Sequence, residues 1–486
     1  MVTKIGIAAF AIGVLVMGAA VWAMTPGAGQ ETGGAVTFHK DVLPILQKNC
    51  QSCHRPGQIG PMSLLSYREA RPWAKAIKQA VVSRKMPPWL ADPHYGHFFN
   101  DRSLKPAEID TLAAWANSGA PEGDPKDAPA PVQWPAGGWN IQPDVVVQLP
   151  AHDVPDRAVL EWENLAIPAP FKEDTWVTSV EIIPGQPAVV HHLCFNFEKH
   201  RPTTVYNRYE WMEVPRDEEG VSKKPGGGLG MAEGTVVSRE VGSNEVQRRK
   251  GRLSIRGSND FCYLPGLTYE DYRPSKAGLL VPAGSDIIVN IHYTTNGLAV
   301  VDRSAIGFTV TKAPPPKKFV AQGAGEGGGD APAVAASDAV AAALVRHQAG
   351  ISQLAIPPFE GNYLAPSSEI TFLKDVELVW FRPHAHVRAK SVQYKLIYPD
   401  GREEIVLNVP RYDFNWQLTY RTSLKIPKGA RMHVEFRYDN SVNNKFNPDP
   451  SKWVYYGDQS WEEMGSPNMG FLMDRDADET GFMTRR

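Results

Sequence analysis

Cysteine is scarce, with four in 486 residues. That excludes a disulfide-built scaffold. One C-x-x-C stands alone, so no second pair completes a zinc site. Charge of one sign is missing too. Lys and Arg number 51 against 53 Asp and Glu, a formal net charge of −2. No basic patch dominates, which argues against nucleic acid as a partner. No internal repeat is evident. The one long apolar run is IGIAAFAIGVLVMGAAVWA, residues 5–23, behind a basic MVTK start. This arrangement fits an export signal ending near Val21-Trp22-Ala23. Its length leaves an uncleaved membrane anchor open. Either reading puts the body of the protein outside the cytoplasm, in the periplasm or another extracytoplasmic space.

What is present suggests several domains, because a chain of this length exceeds one core. Residues 50–54 read CQSCH, and C-x-x-C-H is the attachment pattern of a c-type haem. Cys50 and Cys53 would form the thioethers, and His54 would be the proximal iron ligand. A distal ligand is expected as well. Met86, in VVSRKMPPWLAD, follows a helical stretch and opens a proline-fixed loop. Met62, in GPMSLL, is the rival, but it lies too close to His54 in sequence to reach the opposite haem face easily. The stretch ending in M-P-P-W resembles a subgroup of bacterial cytochrome c domains. LKPAEIDTLAAWANSGAPEGD reads as an amphipathic closing helix, with Ile109, Leu112 and Trp115 on one side. A proline-rich stretch, PKDAPAPVQWPAGG, marks the boundary.

From Trp139 the patterning turns to short β-prone runs bounded by turns. His191 and His192 lie in PAVVHHLCFNF, and His292 lies in SDIIVNIHYTTNG. Adjacent strand residues face opposite ways, so His191 and His192 can share one ion only if the strand bulges there. His384 and His386, in FRPHAHVRAKSVQYKL, alternate onto one face. Residues 215–234 read as a surface insertion, and an Ala/Gly/Pro-rich stretch over 313–353 reads as a linker. Trp380, Phe381, Trp416 and Trp461 are read as core rather than as a substrate cleft. His39, His94, His97, His152, His200, His347 and His433 are read as structural or exposed.

The order His-His, His, His-x-His, Glu-Met is carried by VVHHLCF, NIHYTTNG, PHAHVRAK and DQSWEEMGS. It resembles the copper type II, ascorbate-dependent monooxygenases, the family of peptidylglycine α-hydroxylating monooxygenase and dopamine β-monooxygenase, over residues 140 to 475. The likeness is to a bacterial branch that fuses a cytochrome c to the copper domains. The resemblance implies one electron-transfer copper held by His191, His192 and His292. It implies a second, O2-activating copper held by His384, His386 and Met464, with Met469 or Met473 the alternatives if the alignment slips. Soft thioether and imidazole ligands suit copper. Cys194 and Cys262 either bridge or stay free thiols.

The expected fold is a chain of domains: a signal or anchor (1–23), an all-α cytochrome c domain (36–125), a linker (126–138), and two β-sandwich, jelly-roll-like copper domains (139–312 and 354–486). The expected activity is C–H hydroxylation of an organic substrate with O2, its electrons supplied through one haem c to two coppers by an external donor. That donor would be a cytochrome, a quinol-linked protein or a small reductant. The rival is an extracytoplasmic electron-transfer or copper-binding protein without hydroxylase activity. The substrate is not legible.

Overall fold

The computed structural model describes residues 35–158, 160, 162–213, 231–243, 245–254, 261–322, 354–457 and 460–485. The apolar run read as an export signal, most of the stretch read as an insertion, most of the stretch read as a linker, and His347 lie outside them. No helix among the described residues is long and apolar enough to cross a membrane.

The N-terminal region contains α1 (Leu43–Asn49), α2 (Tyr67–Ala70), α3 (Ala74–Val82) and α4 (Pro106–Asn117). Ser66 starts α2 by accepting the Glu69 amide N–H. Pro106 opens α4, and Glu108 takes the Lys105 N–H at 2.8 Å. Phe38, Leu46, Leu64, Leu112 and Trp115 form a small core beneath them.

The expected all-α cytochrome c domain is not there. Strands take 40% of the described residues and helix 13%, and the helices are short. Pro56, Gly57, Gly60 and Pro61 interrupt the chain after α1, and Pro87, Pro88 and Pro93 interrupt it after α3. Proline lacks the N–H that a helix interior requires, and glycine pays the largest backbone entropy there. Instead, residues 89–102 lie as a strap along the C-terminal β region. Asp92 N–H donates to the Asn408 carbonyl and Phe99 N–H to the Arg421 carbonyl, each at 2.8 Å. Trp89 and Phe98 pack against Tyr420 at 5.1 and 5.5 Å.

The first β region runs through β1 (Val145–Gln148), β2 (Glu163–Pro168), β3 (Thr175–Ile183), β4 (Val190–Lys199), β5 (Arg208–Glu213), β6 (Met231–Glu240), β7 (Val246–Ser254), β8 (Phe261–Tyr263), β9 (Ala277–Val281), β10 (Ser285–Tyr293), β11 (Ala305–Thr311) and β12 (Lys317–Gln322). The second runs through β13 (Ser368–Phe372), β14 (Val376–Ala385), β15 (Ala389–Ile397), β16 (Glu403–Val409), β17 (Tyr420–Ile426), β18 (Arg431–Tyr438), β19 (Gly465–Asp474) and β20 (Met483–Arg485).

One large sheet has the order β1-β11-β3-β9-β12-β19-β14-β17. A second, β7-β6-β5-β2-β10-β4-β8, covers its first half, and a third, β16-β15-β18-β13-β20, covers its second half. Val177, Ile182, Ile306 and Phe308 of the large sheet meet Leu193, Phe195, Ile287 and Val289 of the second. Leu378, Phe381 and Phe471 meet Phe372, Tyr394 and Val434 of the third. These inward positions alternate along their strands except where bulges shift the register, near Thr178 in β3 and at Val379 in β14.

The stretch read as linker over 313–353 begins with a strand. β12, inside the stretch read as linker, pairs in parallel with β9 and antiparallel with β19. Both β regions share one continuous sheet.

Candidate metal centre

β4 and β10 are antiparallel neighbours. His192 pairs with His292, and the next pair is Val190 with Tyr293. His191 is thus the extra residue of a β-bulge, which re-aims its side chain. The ligand atoms of His191, His192 and His292 lie within 4.8 Å of one another. Nδ1 of His292 is buried without a hydrogen-bond partner among the described residues. An orphaned imidazole nitrogen in a histidine trio is what a metal site leaves when the ion is subtracted.

Burial holds His191 down to about 4, with the charge of His384 adding to it. Burial and the His191 charge hold His292 down to about 3. His192 is pushed well below its ordinary value, first by burial and then by its histidine neighbours. All three are neutral at pH 7, as metal ligation requires.

The second set lies where β14 ends and β19 begins: His384 is on β14, His386 one residue past its end, and Met464 one residue before β19. The register of the two strands pairs His384 with Ser466 and Ala385 with Gly465. Met464 immediately precedes β19 and is buried beside Gly465. Residues i and i+2 of an extended chain share a face, so His384 and His386 project to one side. The two rings stand 5.3 Å apart. Each is oriented from behind: His384 Nδ1 meets Gln417 Oε1 at 2.6 Å, and His386 Nδ1 meets the Glu462 carbonyl at 3.2 Å. Such bonds fix the tautomer and turn Nε2 toward a ligand. The Glu463 carboxylate accepts the backbone N–H of His386 (2.9 Å), Arg388 (2.5 Å) and Met464 (3.3 Å). It ties the histidine strand to the Glu-Met segment.

The two sets face one another. The Trp162 indole contacts His192 at 4.5 Å, stacks on His292 at 5.6 Å, and meets His384 at 6.1 Å and His386 at 6.3 Å. Phe414 contacts His191 at 5.2 Å and His386 at 5.9 Å. Neither aromatic was singled out by the sequence. Trp162 lies just before β2 and Phe414 in a turn, and no periodicity marks such positions. Gln417 was missed for the same reason.

In the N-terminal region Cys50 and Cys53 are free thiols. Burial pushes the Cys50 thiol up to about 12. His54 Nδ1 meets the Met62 carbonyl at 3.3 Å, which leaves Nε2 for a ligand. A Cβ at Gly60 would fall 2.6 Å from the Cys53 carbonyl oxygen and 2.7 Å from His54 Nδ1. Glycine is therefore required for this loop to close over the motif. Met86 is half-buried in the loop after α3. The Tyr263 hydroxyl of β8 is pushed up by burial first and then by the charge of Cys53.

Cys194 and Cys262 are a disulfide across the β4–β8 pair. Trp380 and Phe381 are core, whereas Trp416 and Trp461 are half-buried. His152 is buried, bonded to Glu163, with its ring tilted against Tyr209 at 4.5 Å and edge-on to Tyr293 at 4.6 Å. Its role is structural.

No protein-family model matches the chain, and no curated protein matches it. Among solved structures, it is similar to a xanthan lyase of Paenibacillus at 10% identity and a TM-score of 0.16, over 74% of this chain and 29% of the lyase. It is similar to a 7S globulin of Momordica charantia at 10% identity and a TM-score of 0.12, over 65% of this chain and 73% of the globulin. The chain thus spans about 29% of the lyase's length. Scores this low support no inference about fold or function.

Proposed function

We propose that the protein is a copper-dependent monooxygenase that hydroxylates a C–H bond of an organic substrate with O2, fed by a haem c attached at Cys50 and Cys53. The observation that carries this reading is the meeting of four histidines, His192, His292, His384 and His386, around the Trp162 indole, with His191 completing the first trio. His191, His192 and His292 would hold one copper, and His384, His386 and Met464 the other. Copper in both sets would supply electrons and oxygen chemistry, and haem would refill it.

The protein's own residues prepare these places. Gln417 and the Glu462 carbonyl set the tautomers of His384 and His386. Desolvation keeps the imidazoles of the first set unprotonated. At the N-terminus, the Met62 backbone stands behind His54, on the Nδ1 side of its ring. Met86 would be the distal ligand, with Met62 the alternative. The cross-strand disulfide is in keeping with an exported, periplasmic protein. Its partners would be O2, a small organic substrate and an external electron donor.

The test is isotopic. Protein loaded with copper and haem, given reductant, 18O2 and a panel of amines, peptides and benzylic compounds, should release a product carrying 18O. A protein that binds both metals yet labels nothing would instead be an electron-transfer or copper-binding protein. Deep burial of the ligands, with His386 at 0% and His192 at 3% exposure, is the observation that favours this second reading.

A further inference from the structure

We propose that Trp162 is the bridge across which the two histidine sets exchange an electron. This rests on the copper reading above and adds a route to it. Two sets of ligands could have been walled apart by sheet or separated by solvent. Here one side chain touches both: His192 and His292 on one flank, His384 and His386 on the other. The contacts are of ring on ring, with no intervening backbone. The indole Nε1 is buried without a hydrogen-bond partner among the described residues. Burying an indole N–H without an acceptor is costly. A core aromatic chosen for packing alone would be phenylalanine or leucine, so an unsatisfied indole at this place calls for a reason. An extended π system spanning both ligand sets is such a reason, because an electron crosses packed aromatic atoms far more readily than an empty gap.

The step balances simply. One electron leaves the ion held by His191, His192 and His292, which is oxidised by one unit. It reaches the ion held by His384, His386 and Met464, which is reduced by one unit. No bond forms or breaks, no proton moves, and the indole is neutral before and after. Phe414 is the second side chain that touches both sets. It meets one histidine of each, whereas Trp162 meets two of each, which makes Phe414 the matched control.

The experiment uses the full chain carrying haem and two coppers. Flash photoreduction injects one electron at the haem. Freeze-quenched electron paramagnetic resonance then follows each Cu(II) signal, with a His384→Ala/His386→Ala variant identifying the signal of the second set. Trp162→Leu should slow transfer between the sets by roughly ten-fold or more, because a void strips contacts from its lining. The haem-to-first-set phase and the bound copper should not change. Phe414→Leu should leave both phases near wild type. An unaltered inter-set rate in Trp162→Leu with both coppers bound overturns the bridge alone. If that variant fails to hold copper, Trp162→Phe replaces it, with a smaller slowing expected and an unaltered rate again overturning the bridge. If the wild-type protein binds no copper, or its haem never passes the electron on, both the bridge and the reading beneath it fall.

Discussion

Glu463→Gln isolates what one buried carboxylate contributes. Glu463 is fully buried and accepts three backbone N–H groups. One oxygen serves His386 and Met464, and the other serves Arg388. Glutamine keeps the shape but replaces one oxygen with an NH2. The better orientation keeps the oxygen that serves His386 and Met464. It then aims NH2 at the Arg388 N–H, a buried donor left facing a donor, at a cost of about 1–3 kcal/mol. Burial pushes the Glu463 carboxyl up to about 8, against its three N–H donors and the Arg388 charge. The comparison is therefore made at pH 9, where the carboxylate is ionised. Its loss then also removes a negative charge near the buried Arg388 guanidinium, whose bonds to Asn440 Oδ1 (3.0 Å) and the Trp461 carbonyl (2.8 Å) persist. Together these give about 2–4 kcal/mol of lost stability. Slack in the His386–Met464 connection should weaken copper at the second set by about 10- to 100-fold. The first set, on other strands, should be unaffected and serves as the internal control. Denaturant midpoints and Cu(I) competition titrations measure the two effects. A variant within about 0.5 kcal/mol of wild type, with both sites unweakened, would refute the assignment of Glu463 as the tie.

Three further outcomes are expected. Replacing both Cys194 and Cys262 with serine opens a 68-residue separation and should cost about 4 kcal/mol on the chain-entropy account, read as a lower denaturant midpoint. Gly60→Ala should push against Cys53 and His54, so the yield of covalently attached haem should fall, measured by pyridine haemochrome absorbance. Metal-free protein should lose stability as pH falls from 6.5 toward 4. His191 and His292 take up protons near 6.5 when unfolded but only near 4 and 3 when folded. The unfolded chain therefore binds more protons in that window, and stability is complete only above it. A flat midpoint from pH 7 to 4.5 would show that these imidazoles are not desolvated.

The parts of the site that the sequence showed are those with local periodicity. His384, on β14, and His386, one residue past its end, alternate in extended chain, so their shared face could be read directly. The bulge at His191 could not be read, because it depends on the partner strand β10, about a hundred residues away in sequence. The approach of Trp162 and Phe414 to both histidine sets depends on how one sheet packs over another, which no single segment encodes. The N-terminal region was misjudged for a different reason. Helical patterning around Leu112 and Trp115 was real, but the prolines and glycines between the helices left most of the intervening chain without regular structure. The strand β12 was lost among residues that look like a linker. Its neighbours β9 and β19 specify it, more than its own composition does.

That central strand has a consequence for anyone who would divide the protein. Cutting the chain after residue 322 would leave β12 as a bare margin on one fragment and β19 as a bare margin on the other. Each would present a row of unsatisfied N–H and C=O groups to any strand it met. The halves should precipitate when produced singly and regain solubility when produced together, each acting as the other's cover.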